Sequence, residues 1–89
     1  MRKTVAIEII GKVQGVFFRK YTQQTGCRLN LCGFVCNRPD GSVYIEATGS
    51  ELQIKEFITW CHKGSPMSVV RHVVVREISV IHSEPFQIQ

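Results

Sequence analysis

The chain contains no run of apolar residues near the ~18 that a membrane-spanning helix requires, so no membrane partner is expected. It also has no Cys-x-x-Cys pair, no internal repeat, no low-complexity tract and no long run of basic residues. The missing Cys-x-x-Cys knuckle argues against structural zinc, because Cys27, Cys32, Cys36 and Cys61 are poorly spaced for it. Cys32 and Cys36 fall in one predicted strand, which would hold their Cα atoms ~13 Å apart, too far for a disulfide. Reduced thiols and no metal are expected. A leader peptide is also not expected: Met1-Arg2-Lys3 precedes apolar residues, but Glu8 interrupts the run and no small-residue cleavage site follows. Cytoplasmic residence is the expectation.

What is present suits one small domain over residues 1–89, with 44% apolar and 20% charged residues. A chain of this size buries only ~60–65% of its unfolded surface, so its core must be efficient. Eleven basic residues against seven acidic give a net charge of +4, which favours an anionic ligand.

Hydrophobic spacing divides the chain into six main elements. "TVAIEIIGKV" alternates as a strand with Val5, Ile7 and Ile9 on one face and Ala6, Glu8 and Ile10 on the other. Phe18, Tyr21, Thr22, Thr25 and Leu29 recur at helical spacing, and Asn30 is placed to stop that helix. "LCGFVCN" and "SVYIEATG" read as a hairpin joined by "RPDG", with Gly41 at a positive φ. "SELQIKEFITWCHKG" is a second helix capped by Ser50, with Ile54, Phe57, Ile58 and Cys61 inward and Gly64 at its end. "SVVRHVVVREISVI" forms a long strand, and "EPFQIQ" is a candidate short fifth. The order β-α-β-β-α-β predicts an α+β fold, the ferredoxin-like split βαβ, with an antiparallel sheet and two helices on one face. Strands one and two then run parallel, so their carboxyl ends share one edge.

That edge holds "GKVQGVFFRK", residues 11–20, and Asn37. Gly15 lets the loop turn so that successive N–H groups converge on an anion. Arg19 falls in the first helical turn, where the macrodipole disfavours a cation by ~0.3–1 kcal/mol. A bound anion would compensate. Spacing alone equally fits a tight turn followed by a solvated arginine; Arg19's place against the dipole, with Lys12 and Lys20 nearby, favours phosphate. Asn37 fits a turn-preceding asparagine that serves backbone groups, and it also fits an amide that orients a water for in-line attack. His62, His72 and His82 are read as structural or surface residues.

The sequence at these positions resembles the acylphosphatases. "IIGKVQGVFFR" fits that family's first motif at every specified place, and "GFVCNRPDGSVYIEATG" fits its second, with Cys36 where a basic or long residue is usual. The resemblance implies hydrolysis of carboxyl-phosphate anhydrides to carboxylate and inorganic phosphate, with no metal and no cofactor. It implies that Arg19 and the loop of Gln14, Gly15, Val16, Phe17, Phe18 and Arg19 hold the phosphoryl oxygens. Asn37 would position the water, and the substrate's own phosphate would assist proton removal. The expected partners are a small-molecule acyl phosphate and inorganic phosphate, with no nucleic acid, and the expected state is a monomer.

Two alternatives compete. A non-enzymatic module binding phosphate or carbamoyl phosphate, excised from a hydrogenase-maturation-type protein, would carry the same motifs. An RNA-binding domain would share the fold order, but Ala6, Glu8, Ile10, Tyr44 and Glu46 make a poor stacking platform for a polyanion. Phosphate release from an anhydride separates enzyme from both.

Overall fold

In the computed structural model, which describes residues 1–89, the hydrophobic alternation of Arg2–Lys12 produces the interior strand β1. Helix α1 spans Phe18–Arg28, β2 Cys32–Asn37, β3 Val43–Ser50, α2 Glu51–Lys63, β4 Val69–Ile78 and β5 Gln87–Ile88. The strands form one sheet in the order β4-β1-β3-β2-β5. Strand β3 lies antiparallel between β1 and β2, so β1 and β2 run parallel, as expected.

One expectation needs correction. The sheet is mixed rather than purely antiparallel, because β5 joins the free edge of β2 in parallel register, with Phe34 opposite Gln87 and Val35 opposite Ile88. The physical reason is Phe86, which is buried against the Phe57 ring at 5.7 Å. Anchoring Phe86 among the helices brings the next two residues alongside β2.

Val5, Ile7 and Ile9 are buried, together with Val35, Val43, Ile45 and Ala47 from the neighbouring strands. Both helices cover this face. Helix α1 contributes Phe18, Thr22, Thr25 and Gly26 to the buried layer, while Tyr21 remains partly exposed. Helix α2 contributes Ile54, Phe57 and Cys61. Ser50 caps α2 by accepting from the Gln53 amide at 3.2 Å, and Gln53 reciprocates on the Ser50 amide at 2.9 Å. Asn30 adopts φ 59 as α1 ends, and Gly64 closes α2.

The opposite face is not bare. His82 fastens residues 79–86 across it: its backbone N–H donates to Thr48 at 3.0 Å and its ring bonds Glu46 at 2.8 Å. Thr4 and Thr48, which bond each other, are consequently buried.

Candidate active site

The site begins where β1 stops. Val13 turns into the core. The Gln14 side chain crosses to the β2–β3 turn and donates to the carbonyl oxygens of Arg38 at 2.8 Å and Ser42 at 2.9 Å. Gly15 then adopts φ 73 and Phe17 φ 59, with Val16 between them at negative φ. Positive φ on both sides of a residue of negative φ lets successive N–H groups turn toward one side, as in an anion nest. The Val16 side chain is buried, and its carbonyl accepts from the Ser65 hydroxyl at 3.1 Å. The loop is therefore tied at both sides.

Phe17 is the N-cap residue of α1 and supplies no side-chain capping bond. The first amide beyond the loop with an intramolecular partner is that of Tyr21, which donates to the Phe17 carbonyl at 3.1 Å. The amides of residues 14 to 20 have no such partner. The first turn contains no acidic residue but carries Arg19 and Lys20. Arg19 takes part in no ion pair within the protein. Free donors, the positive end of a helix dipole and a free guanidinium thus occupy one place, an arrangement that accepts a phosphate.

Asn37, the last residue of β2, lies exposed at the same edge. A cleft of about 300 Å³ brings it together with Gly15, Phe17, Phe18 and Arg19. Of the residues expected at the site, these five line the cleft. Gln14 and Val16 do not: the former's amide group is committed to the turn carbonyls and the latter's side chain to the core. What these two can offer an anion is backbone N–H.

The cleft also takes in Val13, Lys20 and Ile88. Ile88 was not foreseeable as a wall residue, since β5 carries only two residues and no period. Gln14 was foreseeable only as a loop residue; nothing in the spacing pointed to carbonyls 24 and 28 positions away.

No histidine or carboxylate lines this cleft. His62 bonds the Ile58 carbonyl on α2, His72 pairs opposite Ile10 in the sheet, and His82 is engaged with Glu46. No group of three or more metal-ligating side chains converges anywhere in the protein. Glu46, a carboxylate held away from its usual range, lies on the face away from the helices. Burial pushes it up, but hydrogen bonds from Tyr44 at 2.6 Å and from His82 outweigh this and hold it below the usual range. The Cys61 thiol, enclosed in the core, is pushed far up by burial and is inert.

With this geometry in place, the comparisons with known proteins are specific. The Acylphosphatase family model matches residues 5–88. A protein of Marinobacter nauticus named acylphosphatase is 46% identical over 70 residues, 79% of this chain and 76% of its own. One of Archaeoglobus fulgidus with the same name is 40% identical over 86 residues, covering 94% of this chain and 97% of its own. The crystal structure of acylphosphatase from Bacillus subtilis superposes with a TM-score of 0.94 at 37% identity, over 100% of this chain and 99% of that one.

Proposed function

Because the chain belongs to the acylphosphatase family, we propose that its cleft binds the phosphoryl group of an acyl phosphate through Arg19 and the amides of residues 14 to 19, while Asn37 positions the attacking water. The chain is an acyl phosphate hydrolase. The assignment of roles within the site is carried by one observation: unpartnered loop amides, an unpaired guanidinium and the Asn37 amide meet in a single cleft.

The chemistry follows from these groups. Phosphoryl transfer needs the nucleophile in line and the charge on the equatorial oxygens stabilised. The loop amides and Arg19 supply the second requirement without reorganisation, since the Gln14 and Ser65 bonds already fix the loop. Asn37 supplies the first. The water oxygen forms the new P–O bond, and the acyl oxygen leaves as carboxylate with the bonding pair. The water's proton passes to a phosphate oxygen. A carboxylate is a good leaving group, so the cleft needs no side-chain acid or base for this route.

The further proposals are a single domain over residues 1–89, a monomeric state and cytoplasmic residence without a nucleic-acid partner. Four unbridged thiols support the compartment. Glu8 and Glu46 on the sheet face without helices argue against a nucleic acid. No helix is long and apolar enough to cross a membrane. The non-enzymatic alternative is not favoured, since the matched proteins of similar length are named for the enzyme.

The test is phosphate release from benzoyl phosphate beside p-nitrophenyl phosphate, with and without a chelator. Chelator-resistant cleavage of the anhydride alone is expected. Cleavage of the monoester, or loss of turnover with chelator, would contradict the reading.

A further inference from the structure

The polar groups account for one half of the cleft and leave the other half without a role. Four of its lining side chains are apolar. Val13 and Phe18 are each 1% exposed and belong to the floor, whereas Phe17 is 72% exposed and Ile88 41%. Inorganic phosphate has no use for exposed apolar surface. An acyl group does.

Phe17 is costly for the fold. Its φ of 59 and ψ of 24 lie in the left-handed region, which glycine and asparagine favour and a bulky residue resists. Its ring makes no capping bond and stays in solvent, so the strain gains neither burial nor a hydrogen bond. Ile88, by contrast, is held firmly. Strand β5 pairs it beside Val35, the Gln89 amide donates to the Val35 carbonyl at 2.8 Å, and Phe86 anchors the segment in the core. Ile88 and Asn37, the proposed water-positioning residue, line the same cleft.

We propose that Phe17 and Ile88 form a seat for the acyl substituent, and that the enzyme prefers acyl phosphates bearing an aromatic or branched alkyl group over acetyl phosphate. This rests on the phosphoryl site assigned above. It adds a substrate class: the phosphate is held by donors, and the organic part is selected by apolar contact with two residues from opposite ends of the chain. The contact is made on an open wall rather than in a closed pocket, so discrimination is modest.

The experiment compares kcat/KM for benzoyl phosphate and acetyl phosphate in the parent enzyme, Phe17→Gly, Ile88→Ala and Ile88→Leu. Glycine keeps the left-handed backbone and the amide at position 17 while deleting the ring. The parent should favour benzoyl phosphate. The benzoyl-to-acetyl ratio should fall by about three- to tenfold in Phe17→Gly and Ile88→Ala, mainly through KM, and be retained in Ile88→Leu. Thermal unfolding checks each fold, and if one variant unfolds early the other still reads the ratio. A ratio unmoved in a folded variant, with both substrates affected in proportion, would overturn the seat while leaving the phosphoryl site standing. A parent enzyme that cleaves neither substrate would overturn the functional assignment itself.

Discussion

The Gln14 side-chain nitrogen donates to the Arg38 carbonyl oxygen at 2.8 Å. This bond, paired with the one to Ser42, fastens the anion loop to the residue that follows Asn37. The relation between the proposed phosphate donors and Asn37, the proposed water-positioning residue, is thus fixed by a side chain that lines no part of the cleft.

Gln14→Leu should therefore leave the Arg38 and Ser42 carbonyls short of a donor, costing about 1–3 kcal/mol of stability. Turnover should fall by at least tenfold even where the protein remains folded, because the loop and Asn37 lose their fixed relation. Urea titration and steady-state kinetics read the two effects. Unchanged turnover in the folded variant would remove the positioning role.

Arg19→Ala should abolish measurable inhibition by inorganic phosphate together with turnover, while stability holds or rises. The gain has a cause: a cation leaves the positive end of α1. Arg19→Lys restores charge without the planar fork, so it should recover only part of the affinity. Competitive inhibition constants decide this, and tight phosphate binding by the alanine variant would contradict the assignment.

Gly26→Ala is the reverse of the usual helix substitution. Alanine ordinarily gains up to ~1 kcal/mol over glycine inside a helix. Here the added Cβ would lie 2.7 Å from the ring of Phe86, which is 2% exposed and cannot retreat. Overpacking of this kind costs about 1–3 kcal/mol, so a net loss is expected, with β5 loosened as well. A lowered urea midpoint checks it.

Glu46 ties stability to pH. Burial raises its carboxyl, yet the bonds from Tyr44 and His82 win and hold it below the ordinary 4.5. A group held low when folded binds fewer protons there than in the unfolded chain, so its contribution is present above that ordinary value and is lost as pH falls through the folded one. Glu46→Gln should flatten part of the acid slope of stability, and Asp40, held low by Ser42, should leave a residue of it. Unfolding midpoints at about pH 6 and about pH 3 compare the slopes. An unaltered slope would remove Glu46 from the account.

Much of this was legible beforehand, for identifiable reasons. Alternation marked Val5, Ile7 and Ile9 as core; "RPDG" marked the turn; Ser50 marked the start of α2, where the structure adds the reciprocal bond from Gln53. Arg19 stood out because it opposes the helix dipole, and the structure gives it no partner that would resolve the conflict. The rest depended on contacts with no local signal. Strand β5 is two residues long and is placed by Phe86, not by its own pattern. The segment fastened across the sheet face without helices has no local signal, because His82 and Glu46 are 36 residues apart in sequence. Cys36 and Phe34 lie on that face: Cys36 is paired with Tyr44, and the Phe34 ring meets His82 at 5.6 Å.

The central claim is that Asn37 acts on the water and Arg19 on the phosphate. It is tested most directly by measuring, on Asn37→Ala, both the turnover number for benzoyl phosphate and the inhibition constant of inorganic phosphate. A group that orients the nucleophile matters chiefly in the transition state, so turnover should fall by about a hundredfold or more. The inhibition constant should move by less than about threefold. A parallel loss in both would mean that Asn37 shapes the phosphate loop instead, and would contradict the division of roles.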